Sequence, residues 1–204
     1  TLRMWAYSRI DTIKKKSVLD LVRKAGIKWL CLGIESGDKN VRLEVSKGKF
    51  EDVNIKDVIK QVHDSKIEVM ANYIFGLPGD DKDTIKKTFD LSLDLCTAGW
   101  NTYAAMALPG SLLYKTAIER NTPLPKNYEG YSFHSYETVP LPTEKLKAYE
   151  ILQMRDEAFI NYHTNVNFLN LIKKKFGPKA VNNILDMTKI KLKRKIIEEN
   201  LNAN

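Results

Sequence analysis

Cysteine is almost absent from this 204-residue chain. The two that occur, Cys31 and Cys96, stand far apart inside apolar runs, which argues against a disulfide framework or a cysteine metal site and predicts two buried thiols. Long hydrophobic runs are missing too. None approaches the roughly 18 residues that a membrane helix needs, and the basic opening is not followed by the apolar stretch of a signal peptide. A cytoplasmic setting with no membrane partner is expected. Acidic residues are in deficit, 25 against 33 Lys and Arg, for a formal charge of +8. The excess gathers in Lys14-Lys15-Lys16 and between Lys173 and Lys195. Neither run alternates with aromatics as a nucleic-acid surface would, so both read as solvated helix faces and nucleic acid is not an expected partner. What is present is an ordinary folded composition, 43% hydrophobic and 28% charged, sufficient for one domain and an appendage.

The first two-thirds repeats one pattern, a short β-rich run followed by an amphipathic helix, which predicts parallel strands joined by helical crossovers. Strands are predicted at Leu2 to Tyr7, Ile27 to Ile34, Glu68 to Phe75 and Asn101 to Ala107, apolar enough to be buried on both faces. Between them lie the stripes Val18, Leu19, Val22 and Ala25, then Ile55, Val58, Ile59 and Val62, then Ile85, Phe89, Leu93 and Cys96. A fourth helix is predicted to start from Ser111 as N-cap. The domain expected from this pattern spans residues 1–121.

Residues 122–142 break the pattern. Pro123, Pro125, Pro140 and Pro142 surround Tyr128, Tyr131, Phe133, His134 and Tyr136, an aromatic loop too long for a simple connector. Residues 143–204 read as a helical extension in about three segments, broken near Thr164-Asn165 and at Gly177-Pro178. Four βα units do not close a sheet, and a strand at Leu2 to Tyr7 would leave an unpaired edge. Further strands are therefore expected ahead of Thr1 in the complete protein.

Ligands of parallel α/β folds sit at the carboxyl ends of the strands. All four ends are unusual here: Tyr7-Ser8-Arg9-Ile10-Asp11, then Gly33-Ile34-Glu35-Ser36-Gly37, then Asn72 through Gly76-Leu77-Pro78-Gly79-Asp80, then Ala107-Leu108-Pro109-Gly110-Ser111. Taken singly, the glycine and proline clusters are ordinary turns. Arg9 with Asp11, or Glu35 with Lys47, would serve equally as structural ion pairs. Four such ends on one rim point to a cofactor site, because glycine lets a ligand approach backbone groups closely. Tyr103, in mid-strand, faces either the ligand side or the helices, and alternation does not decide which. His63 and His163 are read as structural.

In this order, with Ser46-Lys47-Gly48 after the second end, these segments resemble the latter half of a radical S-adenosylmethionine enzyme, over about residues 2 to 120. Within that superfamily the chain is most similar to the class whose complete chains carry a cobalamin-binding domain ahead of the radical domain. The resemblance implies an α/β fold that is half of a partial (β/α)6 TIM-like barrel, its four strands being the third to sixth. It implies S-adenosylmethionine as cofactor, a 4Fe-4S cluster whose three-cysteine loop this chain lacks, and cobalamin as a possible second cofactor. The parent protein would be an enzyme and this chain inactive alone, its missing N-terminal part serving as partner. By the same resemblance Arg9 and Lys47 lie near the methionyl carboxylate, and Glu35 and Ser36 meet the ribose hydroxyls or the ammonium. Asn72, Ile74, Gly76, Leu77 and Pro78, with Ala107 and Leu108, border the adenine. An unknown small substrate falls to Tyr128, Tyr131, His134 and Tyr136. No metal ligands are expected within the chain.

Two other readings compete. A phosphate-binding barrel of lyase or isomerase type would cradle its anion in Gly76-Leu77-Pro78-Gly79 at a helix N-terminus, against which Asp80, Asp81 and Asp83 argue by repulsion. A non-catalytic interaction module would use the basic tail and leave the rim without a role.

Overall fold

The structure, a computed structural model, describes residues 4–46 and 53–202. Its sheet consists of β1 (Met4–Arg9), β2 (Ile27–Glu35), β3 (Glu68–Phe75) and β4 (Gly99–Ala104), all parallel and in the spatial order β1-β2-β3-β4. Right-handed crossovers that always step in the same direction put every connecting helix on the same face. Those helices are α1 (Lys16–Lys24), α2 (Lys39–Ser46) with α3 (Ile55–Asp64), and α4 (Lys82–Leu95). After β4 come α5 (Leu112–Glu119), then α6 (Ala148–His163), α7 (Val166–Phe176), α8 (Pro178–Thr188) and α9 (Lys195–Asn202).

The core lies between the sheet and this helical layer. Leu30, Leu32 and Ile34 of β2 and Val69, Ala71, Tyr73 and Phe75 of β3 are fully or almost fully buried against Leu19, Val62 and Ile85. Ile151, Leu152 and Tyr162 bring α6 into the same core. Tyr162 stacks on Trp100 at 5.0 Å and donates its hydroxyl hydrogen to the Thr97 carbonyl at 2.8 Å, so a buried polar atom is satisfied where the ring packs.

The other face is open, which corrects the expectation of strands buried on both sides. Trp5 is 59% and Tyr7 71% exposed. The alternation is hidden in the sequence because the open face carries Trp5, Tyr7, Trp29, Cys31 and Met70, which read like core residues. Strand β3 has its predicted bounds. Strand β1 runs two residues further than predicted, and Leu2 lies outside the described residues. Strand β4 ends at Ala104, beyond which buried Ala105 donates its amide to the Phe75 carbonyl at 2.8 Å and accepts from Leu141 at 2.9 Å. The tail carries one more break than expected. Residues 189–194 interrupt it without a glycine or proline to announce the stop.

The aromatic loop is fixed by that break. Buried Arg194 donates to Asp156 from Nε at 2.8 Å and Nη2 at 3.0 Å, and from Nη1 to the Ser135 carbonyl at 2.9 Å and Thr138 Oγ1 at 3.0 Å. Lys195 N donates to the Tyr136 carbonyl at 3.0 Å. The loop is therefore held by side-chain and backbone bonds to a distant segment, in addition to its own 3-10 turn at Tyr128–Tyr131 and internal bonds such as Val139 N to the Gly130 carbonyl at 3.0 Å.

The loop after β2 lies directly on α4. A Cβ at Gly37 would stand 2.5 Å from the Lys87 carbonyl oxygen and 2.7 Å from the Thr88 Cα, whereas one at Gly110 would meet nothing within 4 Å. Gly37→Ala is expected to cost ~3 kcal/mol by forcing two backbones apart. Gly110→Ala, at φ +86, should cost only the left-handed strain of ~1–2 kcal/mol. Denaturant melts of both variants check the order; a smaller loss at Gly37 would show that the loop gives way easily.

Candidate functional site

The strand register sets one row of residues across the open face. Arg9 pairs with Gly33, Gly33 with Asn72, and Asn72 with Asn101, so a cation, a gap and two amides stand side by side near the carboxyl ends. Around them opens a depression of ≈ 550 Å³ lined by Tyr7, Ser8, Arg9, Gly33, Glu35, Asn72, Ile74 and Tyr103.

Glu35 is the unusual member. The register of β2 on β3 shifts between Gly33 and Glu35, and Glu35 takes φ 68, a left-handed conformation that costs a non-glycine residue ~1–2 kcal/mol. The bulge turns its carboxylate back over the preceding row, where a Cβ at Gly33 would collide with Glu35 Oε1. Glycine at 33 is thus the space the carboxylate uses. Burial pushes the Glu35 carboxyl above its ordinary value, and the Arg9 charge only partly offsets this. Arg9 donates to Asp11 from Nε at 3.0 Å and Nη2 at 2.8 Å, so it has the structural partner anticipated as one of its readings. Asn101 Nδ2 donates to Asn72 Oδ1 at 3.1 Å and meets Met70 Sδ at 3.2 Å. Tyr103 faces this depression rather than the helices, and burial, with Tyr7 and Cys31 nearby, pushes its phenol up.

The other residues singled out at the rim have different surroundings. Ser36 is fully buried, its Oγ 3.1 Å from Thr88 Oγ1 and accepting from the Asp38 amide at 3.1 Å, so it fastens the loop to α4 and does not line the depression. Gly76 and Leu77 are buried, and both donate their amides to Asp80 Oδ2 at 3.0 Å. Pro78 is exposed and borders a separate cleft of ≈ 400 Å³ with Glu44, Leu113, Arg120 and Leu141. Ala107 is buried and Leu108 exposed beyond the end of β4. Lys47 lies outside the described residues.

That pair of amides weighs against the phosphate reading. Asp80 is 2% exposed, and Thr84 donates to its Oδ1 at 2.7 Å. Its carboxylate already fills the anion position that Gly76 and Leu77 would offer a phosphate. Asp81 and Thr84 close a capping box on α4, consuming further donors there.

Of the aromatic-loop residues, Tyr128 is 89% exposed and Tyr136 donates its hydroxyl hydrogen to Glu198 Oε2 at 2.8 Å. His134 lines a different cavity, between the loop and the tail. Neither these nor Tyr131 lines the depression. The loop residue beside it is Phe133, its ring centroid 4.8 Å from that of Tyr103. Tyr7, Asn101 and Phe133 had not been singled out. For Tyr7 and Asn101 the signal was register: once Arg9, Gly33 and Asn72 are aligned, the neighbours on the same face follow; Phe133, in a loop, had no such signal.

Among the described residues no group of three or more His, Cys, Asp or Glu side chains stands close enough to hold a metal ion, and no helix is long and apolar enough to cross a membrane. No family model matches the chain. It is 26% identical over 163 residues to an uncharacterized methyltransferase of Pyrococcus horikoshii, covering 78% of this chain and 33% of that protein. It is 26% identical over 81 residues to the bacteriochlorophyllide d C-12(1)-methyltransferase of Chlorobaculum tepidum, covering 40% of this chain and 18% of that protein. The chain therefore spans a third or less of the length of these curated relatives. Among solved structures it is similar to the radical S-adenosylmethionine methyltransferase TsrM of Kitasatospora setae with cobalamin and a 4Fe-4S cluster bound. That likeness has a TM-score of 0.44 and 22% identity, over 50% of this chain and 20% of that one.

The raised carboxyl of Glu35 has a stability consequence. A carboxyl that binds its proton more tightly in the fold contributes stability below its ordinary value of 4.5, and that contribution is lost as pH rises through the folded-state value. Glu35→Gln is therefore expected to melt higher than the parent near neutral pH and equally below pH 4.5. Thermal melts across that window check it; an unchanged difference at all pH values would remove burial of the charge as the cause.

Proposed function

We propose that this chain forms the S-adenosylmethionine-holding half of a radical S-adenosylmethionine enzyme of the cobalamin-associated class, its four strands being part of a partial barrel and its reaction a methyl transfer. The observation that carries the reading is the strained, desolvated Glu35 carboxylate laid over Gly33 beside Arg9, at the carboxyl ends of parallel strands. Strain of this kind persists where the surroundings over-determine it, characteristically at a ligand site. The donor set fits the cofactor. Its amino-acid end carries an ammonium and a carboxylate, complementary to Glu35 and to Arg9, and a carboxylate withdrawn from water attracts a cation more strongly than an exposed one. Asn72 and Asn101 offer amide edges, and Ile74 and Tyr103 offer flat apolar contact. The similarity to two methyltransferases supports transfer of a one-carbon group.

An iron–sulfur cluster does not fit this chain by itself. Three thiolates are needed; the chain has two cysteines, Cys31 in mid-β2 and Cys96 at the end of α4, and burial pushes both thiols up, away from the thiolate form. On this reading the cluster ligands belong to a preceding half of the same protein, and cobalamin to a domain ahead of that. What this chain's own residues contribute is to bind, orient and partly desolvate the cofactor. A cytoplasmic setting accords with two free thiols.

Equilibrium binding of S-adenosylmethionine to the full-length protein tests the reading. Glu35→Ala is expected to weaken binding roughly 30-fold, the worth of one charge-assisted hydrogen bond of ~2 kcal/mol. Gly33→Ala should act in the same direction by displacing Glu35, and Tyr128→Ala should do nothing. Absence of binding, or equal affinity of the Glu35→Ala protein, would overturn the assignment.

A further inference from the structure

We propose that the seam between the aromatic loop and the helical tail is a binding site for a small amphipathic monocarboxylate, one with an apolar body of about ten heavy atoms or fewer. The seam forms a half-open pocket of ≈ 290 Å³ lined by Phe159, Met187, Ile190 and Leu192, the last three partly exposed, together with His134, Arg155 and Asp156, whose carboxylate is already taken up by Arg155 and Arg194. At about 30 Å³ for each water-sized group, that is room for roughly ten heavy atoms. The site is separate from the depression on the open face and does not depend on what binds there.

Charge identifies the occupant. Arg155 is 8% and Arg194 2% exposed, and the two guanidiniums share a single carboxylate, Asp156. Arg194 spends all three of its nitrogens, on Asp156, the Ser135 carbonyl and Thr138. Arg155 gives Nε to the Thr102 carbonyl at 2.8 Å and Nη1 to Asp156 at 2.9 Å, which leaves Nη2 without a hydrogen bond among the described residues. The cluster thus carries one positive charge more than its own carboxylate neutralises, beside an apolar space, with the Arg155 guanidinium over the Phe159 ring at 5.4 Å. A charge in so apolar a setting favours a counter-charge. A carboxylate on Arg155 Nη2 would complete the balance, and the hydrocarbon behind it would fill the space lined by Phe159, Ile190 and Leu192. A cation is disfavoured by the same excess, and a neutral apolar molecule would leave it uncompensated.

The site also touches the open face through the chain itself. Arg155 holds the carbonyl of Thr102, whose neighbour Tyr103 lines the depression, and His134 follows Phe133, whose ring lies on Tyr103.

Calorimetric titration of the full-length protein with octanoate below its micellar concentration, against octan-1-ol as neutral counterpart, tests the proposal. Octanoate is expected to bind one to one and roughly ten-fold more tightly than the alcohol, as one charge-assisted contact provides. Arg155→Met should erase the preference and Arg155→Lys should retain it. Leu192→Trp, which fills the cavity and leaves the cluster alone, should remove binding of both, a check that stands if Arg155→Met fails to fold. Proton resonances of His134 should move on titration of the parent and stay still in the Leu192→Trp protein. No octanoate binding, equal affinity for the alcohol, or binding that survives Leu192→Trp would each overturn it.

Discussion

The handedness of the strand-to-strand crossover governs this structure. Because each strand lies beside its predecessor and each connection turns the same way, every crossover helix is delivered to one face of the sheet. A doubly wound sheet would have covered both faces and buried the row Arg9, Gly33, Asn72 and Asn101 under helices. Here the row faces outward, and its members are free to be polar. The helical face meanwhile carries nearly all the burial, which is why α6 is integrated with the sheet through Ile151, Leu152 and Tyr162 instead of lying at its margin.

Polar groups at the rim divide by where their partners are. Ser36, Asp80 and Asp81 are satisfied internally and serve to hold loops on α4. Glu35 has strain, burial and a nearby guanidinium, with no capping role of that kind. The distinction separates residues that build the rim from the one best placed to use it. It also explains why the glycine-rich segment after β3, which attracts attention in the sequence, contributes less to the depression than the shorter segment after β2.

Much of the fold was legible because its periodicities are strong. The stripe Ile55, Val58, Ile59 and Val62 is buried as a helix, Ser111 caps α5, and β3 has its predicted ends. The break at residues 189–194 was not legible, since Lys, Ile and Leu there carry no stop signal and the bonds that hold it, from Arg194 to Asp156, Ser135 and Thr138 and from Lys195 to Tyr136, are all long-range. Of the candidate site, Arg9, Glu35, Asn72 and Ile74 were readable as strand-end residues and do share the depression. Ser36 was placed at the same end but is buried on the opposite side, against Thr88 of α4. The tyrosines of the loop looked like one group in sequence, but Tyr136 is tied to the tail, its hydroxyl donating to Glu198 and its carbonyl accepting from Lys195, while Tyr128 is exposed.

The Arg194 anchor bears on how the protein is made. The loop it holds leaves the ribosome first, and Arg194 follows Thr138 by 56 positions. At about 5–20 residues per second the loop waits roughly 3–11 seconds for its fastening. Through that interval the sheet and its first helices have the sequence they need, while the segment around Phe133 has only the loop's own bonds and that of Leu141 to the Ala105 carbonyl. The Arg194 fastening of the loop is thus a late addition, ordered in time by synthesis as well as in space by contacts.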